Sequence, residues 1–454
     1  MSLQSVNPAT ARTIERYPEM ARDEVDAVLE AAHGCWLSWR ETSFDHRASL
    51  LQRAAAVLRA RAEELARLMA EEMGKPIRQG RSEVEKCAWA CTYYAENGAA
   101  HLAPDVVSTE AKKAYVAFQP LGPVLAVMPW NFPLWQVYRF AAPALMAGNV
   151  GVLKHASNVS GCALAIEAMF RDAGFPDHAF RALLVPGHRV KEIIEDRRIR
   201  AVTLTGSTPA GQAVAAQAGA VLKKTVLELG GSDPYVVLED ADLDQAAKTC
   251  VEARLINSGQ SCIAAKRFIV VSSVLEPFTA RFLDLMRAKK VGDPLSEDTE
   301  VGPLARADLR DDLHRQVTSS VQAGARLLLG GEVPEREGAF YPPTVLANVR
   351  PGMAAFDEET FGPVAAIVPA MDAQDAVRLA NLSSFGLGAA VFTRDLDQGE
   401  SVALKLETGT TFVNAQVASD PRLPFGGIKD SGYGRELGSY GIKEFVNAKT
   451  VVVR

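Results

Sequence analysis

The chain has 454 residues, 48% hydrophobic and 23% charged, with a formal net charge of −6. That length exceeds what one hydrophobic core sustains, so two or more domains are expected, and the composition excludes a disordered chain. The acidic balance gives no electrostatic footing for nucleic acid or an anionic membrane surface, and the apolar stretches 121–130 and 140–147 are too short to span a bilayer.

The first residues, Met1-Ser2-Leu3-Gln4-Ser5-Val6-Asn7, have no basic segment followed by an apolar one, so no secretory leader is expected. Stretches 23–33 and 44–73 are rich in Ala, Leu, Arg and Glu, with apolar residues at helical spacing. Cys87 and Cys91 fall four apart in a helical pattern and read as core-facing small residues. The six cysteines (Cys35, Cys87, Cys91, Cys162, Cys250, Cys262) are dispersed, which fits reduced thiols in a cytoplasm better than a disulfide framework, and no metal-ligand cluster is expected.

Beyond Gly122 short apolar runs at 124–128, 150–153, 179–185 and 201–204 alternate with helical segments at 136–146, 162–173 and 191–196. A second series of runs, at 235–238, 268–271, 365–368 and 389–392, alternates with helical segments at 246–256, 277–286 and 373–379. Buried strands separated by helices predict an α/β fold of two doubly wound parallel-sheet domains, divided near 229–232. The last six residues, 449–454, read as an edge strand, so pairing with another copy in a homodimer or homotetramer is expected.

Three stretches carry chemistry. Cys262 ends Asn257-Ser258-Gly259-Gln260-Ser261-Cys262, a candidate nucleophile among small and polar residues. Glu228 precedes Leu229-Gly230-Gly231 and is a candidate base. Asn131, in Pro129-Trp130-Asn131-Phe132-Pro133, offers a side-chain amide to an oxyanion. Attack of a thiol on an aldehyde, loss of hydride to a nicotinamide and hydrolysis of the thioester would use one of each. Gly206 and Ser207 lie where an apolar run enters an Ala-rich helical segment, a place suited to phosphate oxygens.

These motifs, with Glu358-Glu359-Thr360-Phe361-Gly362-Pro363 and Pro424-Phe425-Gly426-Gly427, occur in the order found in NAD(P)-dependent aldehyde dehydrogenases. The chain resembles that family over essentially its whole length, and among its members most resembles bacterial succinate-semialdehyde dehydrogenases. The resemblance implies Cys262 as nucleophile, Glu228 as base and Asn131 as oxyanion donor. It implies cofactor contacts at Trp130, Lys154, Ser157, Gly206, Ser207, Glu359 and Phe361. The implied domains are cofactor-binding (1–102 and 120–229), catalytic (230–425) and a small β oligomerisation element (103–119 and 440–454).

Ser157 stands where many NAD-preferring relatives carry Glu, so NADP use is expected beside NAD, because a serine does not repel a 2′-phosphate. Arg139 and Ser419 match substrate contacts of the semialdehyde group, which implies a carboxylated aldehyde. A second substrate arginine of that group is replaced by Ile256, with Arg422 and Arg254 as candidate substitutes. An alternative is a broad aliphatic or aromatic aldehyde dehydrogenase, with Ile256 and Trp135 lining an apolar entrance. A further one is a catalytically inactive structural or binding homologue.

Overall fold

The computed structural model describes residues 2–454. Two parallel-rich sheets organise the chain. The first has strand order Gly432–Tyr433, Lys224–Glu228, Ala201–Thr205, Pro123–Met128, Val150–His155, Phe180–Ala182. All its pairs are parallel except the one made by Gly432–Tyr433. The second runs Arg326–Leu329, Thr344–Ala347, Val364–Ala370, Ala265–Val271, Asp233–Val237, Gly388–Phe392, Thr410–Val413. Only Arg326–Leu329 is antiparallel there.

The continuous Val, Ile, Ala and Phe runs in these strands follow from burial on both faces. In the second sheet, Val236, Ile269, Val368 and Val391 pack into one apolar cluster. Their chain neighbours Tyr235, Val237, Phe268, Val270, Ile367 and Phe392 pack into another. The two-residue period of a strand divides them between the faces.

Stretch 44–73 forms two helices, Phe44–Ala60 and Ala62–Met73, where the helical spacing suggests one. The break is at Arg61 (φ −105°, ψ 16°), whose guanidinium bonds Glu64 and Asp172. An N-terminal hairpin, Ser2–Val6 with Thr13–Pro18, is held down by Glu72. That buried carboxylate accepts from Ser5 Oγ and from the Gly161 and Cys162 N–H groups at the start of helix Ser160–Asp172.

Stretch 426–439, which the sequence reading assigns to neither domain, is where the chain returns to the first sheet. Gly432 there pairs with Glu228. A separate antiparallel sheet joins Val446–Val453, Lys113–Pro120 and Asp105–Val106, with Val446–Val453 on its edge. No described helix is long and apolar enough to cross a membrane.

Candidate active site

The site lies where the carboxyl ends of the first sheet's strands meet the amino ends of the second's. Asn131 follows strand Pro123–Met128, Ser157 follows Val150–His155, Ser207 follows Ala201–Thr205, and Glu228 ends Lys224–Glu228. Strand ends of this kind are the ligand-binding edge of an open α/β sheet. From the other side, Cys262 precedes Ala265–Val271, and Glu359 and Phe361 precede Val364–Ala370.

Glycine brings these loops into close contact. A Cβ on Gly231 would sit 2.6 Å from the Cys262 carbonyl oxygen, and one on Gly230 would sit 2.5 Å from Glu359 Oε2. The Gly-Gly turn after Glu228 thus lets the Glu228 strand, the Cys262 loop and the Glu359 loop converge. Asn257, Ser258 and Gly259 have φ of 51°, 56° and 79°, a run of left-handed residues that turns the chain towards Cys262. A Cβ on Gly259 would collide with the Gly362 carbonyl. Such strained backbone persists where its surroundings over-determine it. Here Arg254, fully buried, donates to the Gly259 carbonyl at 2.7 Å, and Gln79 accepts from the Asn257 N–H at 2.6 Å.

The Asn131 amide is fixed in orientation. Gln136 Nε2 donates to its Oδ1 at 3.0 Å, and its Nδ2 donates to the Gln260 carbonyl at 3.1 Å. One Nδ2 hydrogen is left to meet an oxyanion beside the Cys262 loop. Asn257 Nδ2 holds the Asn131 carbonyl at 2.6 Å and completes the link.

Cys262 is half-buried. Burial pushes its thiol up to about 12, while Arg139 and Lys266 pull it down. Glu228 is buried with both carboxylate oxygens unpartnered, and Gly426 leaves room for them. Burial raises its pKa well above the usual carboxylate range, against the pull of Arg139; Glu436 adds to the rise. A carboxylate of raised basicity with free oxygens suits proton abstraction from water.

Residues that sequence reasoning passed over complete the surroundings. Lys266, buried, donates to the Ser261 and Cys262 carbonyls at 2.8 and 2.7 Å and lies 3.3 Å from Glu359. The Gly231 N–H also donates to Glu359, at 3.0 Å. A lysine inside the apolar strand Ala265–Val271 is the sequence signal that could have found it, since buried lysines are rare unless partnered. Glu436 pairs with Arg139 deep beside Glu228 and carries no such signal.

Arg139 departs from expectation. It is 2% exposed, ion-paired to Glu436, 3.3 Å from Thr205 Oγ1 and stacked on Phe425. Its guanidinium is engaged inside the protein and does not line the entrance cavity. The proposed substitutes for the missing arginine are engaged too. Arg254 supports the Gly259 turn, and exposed Arg422 is held in two hydrogen bonds by Asp420. Ser419 is buried and accepts from Lys86 Nζ at 2.8 Å and Trp135 Nε1 at 3.2 Å.

The cofactor candidates form a track. Lys154, nearly buried, has no ion-pair partner among the described residues, and burial lowers its pKa. Ser157 lies three residues on, and Gly206-Ser207 leads into helix Thr208–Ala220. Trp130 and Phe361 meet edge to face at 5.7 Å near Glu359. An unpaired cation, a neutral hydroxyl and a helix start suit a nicotinamide dinucleotide carrying an additional phosphate.

An entrance cavity of about 600 Å³ is lined by residues from stretches 78–135 and 252–300 and by Gln416. Phe132, Trp135, Leu255 and Ile256 give it apolar wall.

A half-buried thiol, an oriented amide and an unpartnered carboxylate together suit covalent catalysis of the aldehyde-oxidising type. The chain matches the aldehyde dehydrogenase family over residues 1–451 and belongs to that family. It is 51% identical over 451 residues to a probable NADP(+) succinate-semialdehyde dehydrogenase of Synechocystis sp., covering 99% of each chain. It is 51% identical to the NAD(P)+ succinate semialdehyde dehydrogenase Sad of Escherichia coli K12, covering 98% of this chain and 97% of that one. The solved succinic semialdehyde dehydrogenase of Streptococcus pyogenes, in complex with NADP+, superposes with a TM-score of 0.97 at 36% identity, covering 99% of each chain.

Proposed function

We propose that the protein oxidises succinate semialdehyde to succinate with NADP, accepting NAD as well. The convergence of Cys262, Asn131 and Glu228 across the two sheets carries the reading of the reaction. The full-length likeness to succinate-semialdehyde dehydrogenases supports the substrate.

Cys262 gives its thiol proton to solvent as Sγ adds to the aldehyde carbon, forming a carbon–sulfur bond and moving the carbonyl pair onto oxygen. Asn131 Nδ2 and the Cys262 N–H, which has no acceptor among the described residues, face that oxyanion. Lys154, Ser157, Gly206, Ser207, Trp130, Glu359 and Phe361 would hold a nicotinamide dinucleotide, which when bound would accept the hydride leaving the aldehyde carbon, a role no side chain can fill. Cys262 then carries a thioester. Glu228 takes a proton from water, the water oxygen adds to the acyl carbon, and the carbon–sulfur bond breaks to release the carboxylate. Glu228 argues against transfer of the acyl group to another thiol, because a hydrolytic base would consume the thioester.

The edge strand Val446–Val453 is the proposed contact for assembly into a homodimer or homotetramer, and the dispersed thiols support a cytoplasmic setting. Initial rates with succinic semialdehyde and with hexanal, each with NADP and NAD, test the substrate and cofactor. The expected result is a higher kcat/KM for the semialdehyde and turnover with NADP. A clear preference for hexanal would discard the carboxylate reading and favour the broad-specificity enzyme.

A further inference from the structure

The entrance cavity presents three cations: Arg78, Lys86 and Lys289. Lys289 is already paired with Glu300 at 2.8 Å. Arg78 is exposed and within electrostatic reach of Glu297, Asp298 and Glu300. Lys86 differs from both. It is partly buried, and no described carboxylate forms an ion pair with it. Among the described residues its ammonium donates to Ser419 Oγ, at 2.8 Å. An ammonium has three donors, so two remain for a ligand.

The surroundings fix Lys86 in place. Its Nζ lies 4.5 Å from the centre of the Trp135 ring, and the Trp135 indole N–H donates to the same Ser419 hydroxyl at 3.2 Å. Trp135 is held in turn, because Glu83 accepts from the Leu134 and Trp135 N–H groups at 2.9 Å. Glu83 does not neutralise Lys86, since its other oxygen is paired with the buried Lys75. The remaining charged neighbours that act on Lys86 are Arg139 from helix Trp135–Ala147 and Asp420 from the loop after Thr410–Val413. Asp420 is itself bonded to Arg422.

Lys86 sits on helix Ile77–His101, whose Gln79 holds the Asn257 N–H of the nucleophile loop. Ile256, adjoining that loop, lines the same cavity, as does Phe132 beside Asn131. One helix therefore joins a free cation to the turn that presents Cys262.

We propose that Lys86, oriented by Ser419 and Trp135, binds the distal carboxylate of the aldehyde substrate in place of Arg139. The proposal rests on the semialdehyde reading above. A lysine grips a carboxylate as a point charge, without the planar fork of an arginine. Specificity by this means tolerates modest differences in the distance between aldehyde and carboxylate. It still rejects neutral aldehydes, for which a desolvated ammonium would be left unpaired.

The test uses the full-length enzyme at saturating NADP, with succinic semialdehyde and with butanal, a neutral aldehyde of equal carbon count. Lys86→Met keeps the length and loses the charge; Lys86→Arg keeps the charge. For Lys86→Met, KM for the semialdehyde is expected to rise roughly 10- to 100-fold, the range for one charge-assisted hydrogen bond. The loss on butanal is expected to be at least about tenfold smaller, which also certifies folding, and Lys86→Arg should recover most of the semialdehyde KM. Equal losses on both aldehydes, or a semialdehyde preference retained in Lys86→Met, would overturn the assignment while leaving the proposed function standing. A wild-type enzyme that does not prefer the semialdehyde to butanal would overturn both.

Discussion

Replacing Arg139 by Met distinguishes an internal ion pair from a substrate contact. The guanidinium is 2% exposed and is the cation paired with Glu436. It also pulls down the pKa of Glu228. Removing it leaves two buried carboxylates beside each other with their main counter-charge gone. Breaking a buried pair from one side costs about 3–5 kcal/mol. Arg139→Met with Glu436→Leu should be far closer to the wild-type stability than Arg139→Met alone, because an apolar pair of similar volume needs no counter-charge. The sign with pH follows from the raised carboxyl groups. Below the unfolded carboxylate pKa of about 4.3 both states are protonated and the penalty is absent. It grows as pH rises towards the raised folded value, then levels. Urea unfolding of the single and double variants at pH 4.5 and 7.5 measures this, and the acid limb of kcat should move to higher pH as Glu228 becomes harder to ionise. Unchanged stability in Arg139→Met, with a KM increase confined to carboxylated aldehydes, would refute the ion-pair role and return Arg139 to the substrate.

Glu228→Gln should keep the first turnover and slow deacylation by about 10²- to 10⁴-fold. Rapid mixing should then show a burst of reduced cofactor stoichiometric with Cys262, and an unchanged steady rate would remove Glu228 from hydrolysis. Ser157→Glu should raise KM for NADP more than tenfold, roughly the effect of one like charge near a phosphate, and lower the NADP/NAD ratio of kcat/KM; an unaltered ratio would place the 2′-phosphate elsewhere. Gly259→Ala should cost about 2–5 kcal/mol, from left-handed backbone and the clash with Gly362. Its thiol should also react abnormally with a small alkylating agent, and wild-type stability would disprove the need for glycine there.

Much of this was legible in the sequence because the determinants are local. Two-sided burial makes the strands of both sheets read as apolar runs, and Gly230-Gly231 advertises a close backbone approach beside Glu228. What escaped depends on distant pairing. Glu436 reaches Arg139 only because the chain returns through Gly432–Tyr433 to strand Lys224–Glu228. Lys86 falls in a stretch of alternating charge that resembles any solvated helix face, and only packing against Trp135 and Ser419 sets it apart. Arg139 shows the converse: a matching position along the chain does not determine what a guanidinium faces once Glu436 is beside it.

The two halves of the site differ in how much change they can absorb. Around Cys262 the loops touch backbone to backbone through Gly231 and Gly259, and Gly230 meets the Glu359 carboxylate, so even one methyl group has no space at these positions. The entrance wall is made instead of long side chains on Ile77–His101 and around Ile256. Substitutions there exchange one flexible group for another without moving the main chain. Random mutagenesis should therefore yield variants with altered aldehyde preference from the wall and almost none from the glycine seam, so a new specificity can evolve without rebuilding the chemistry.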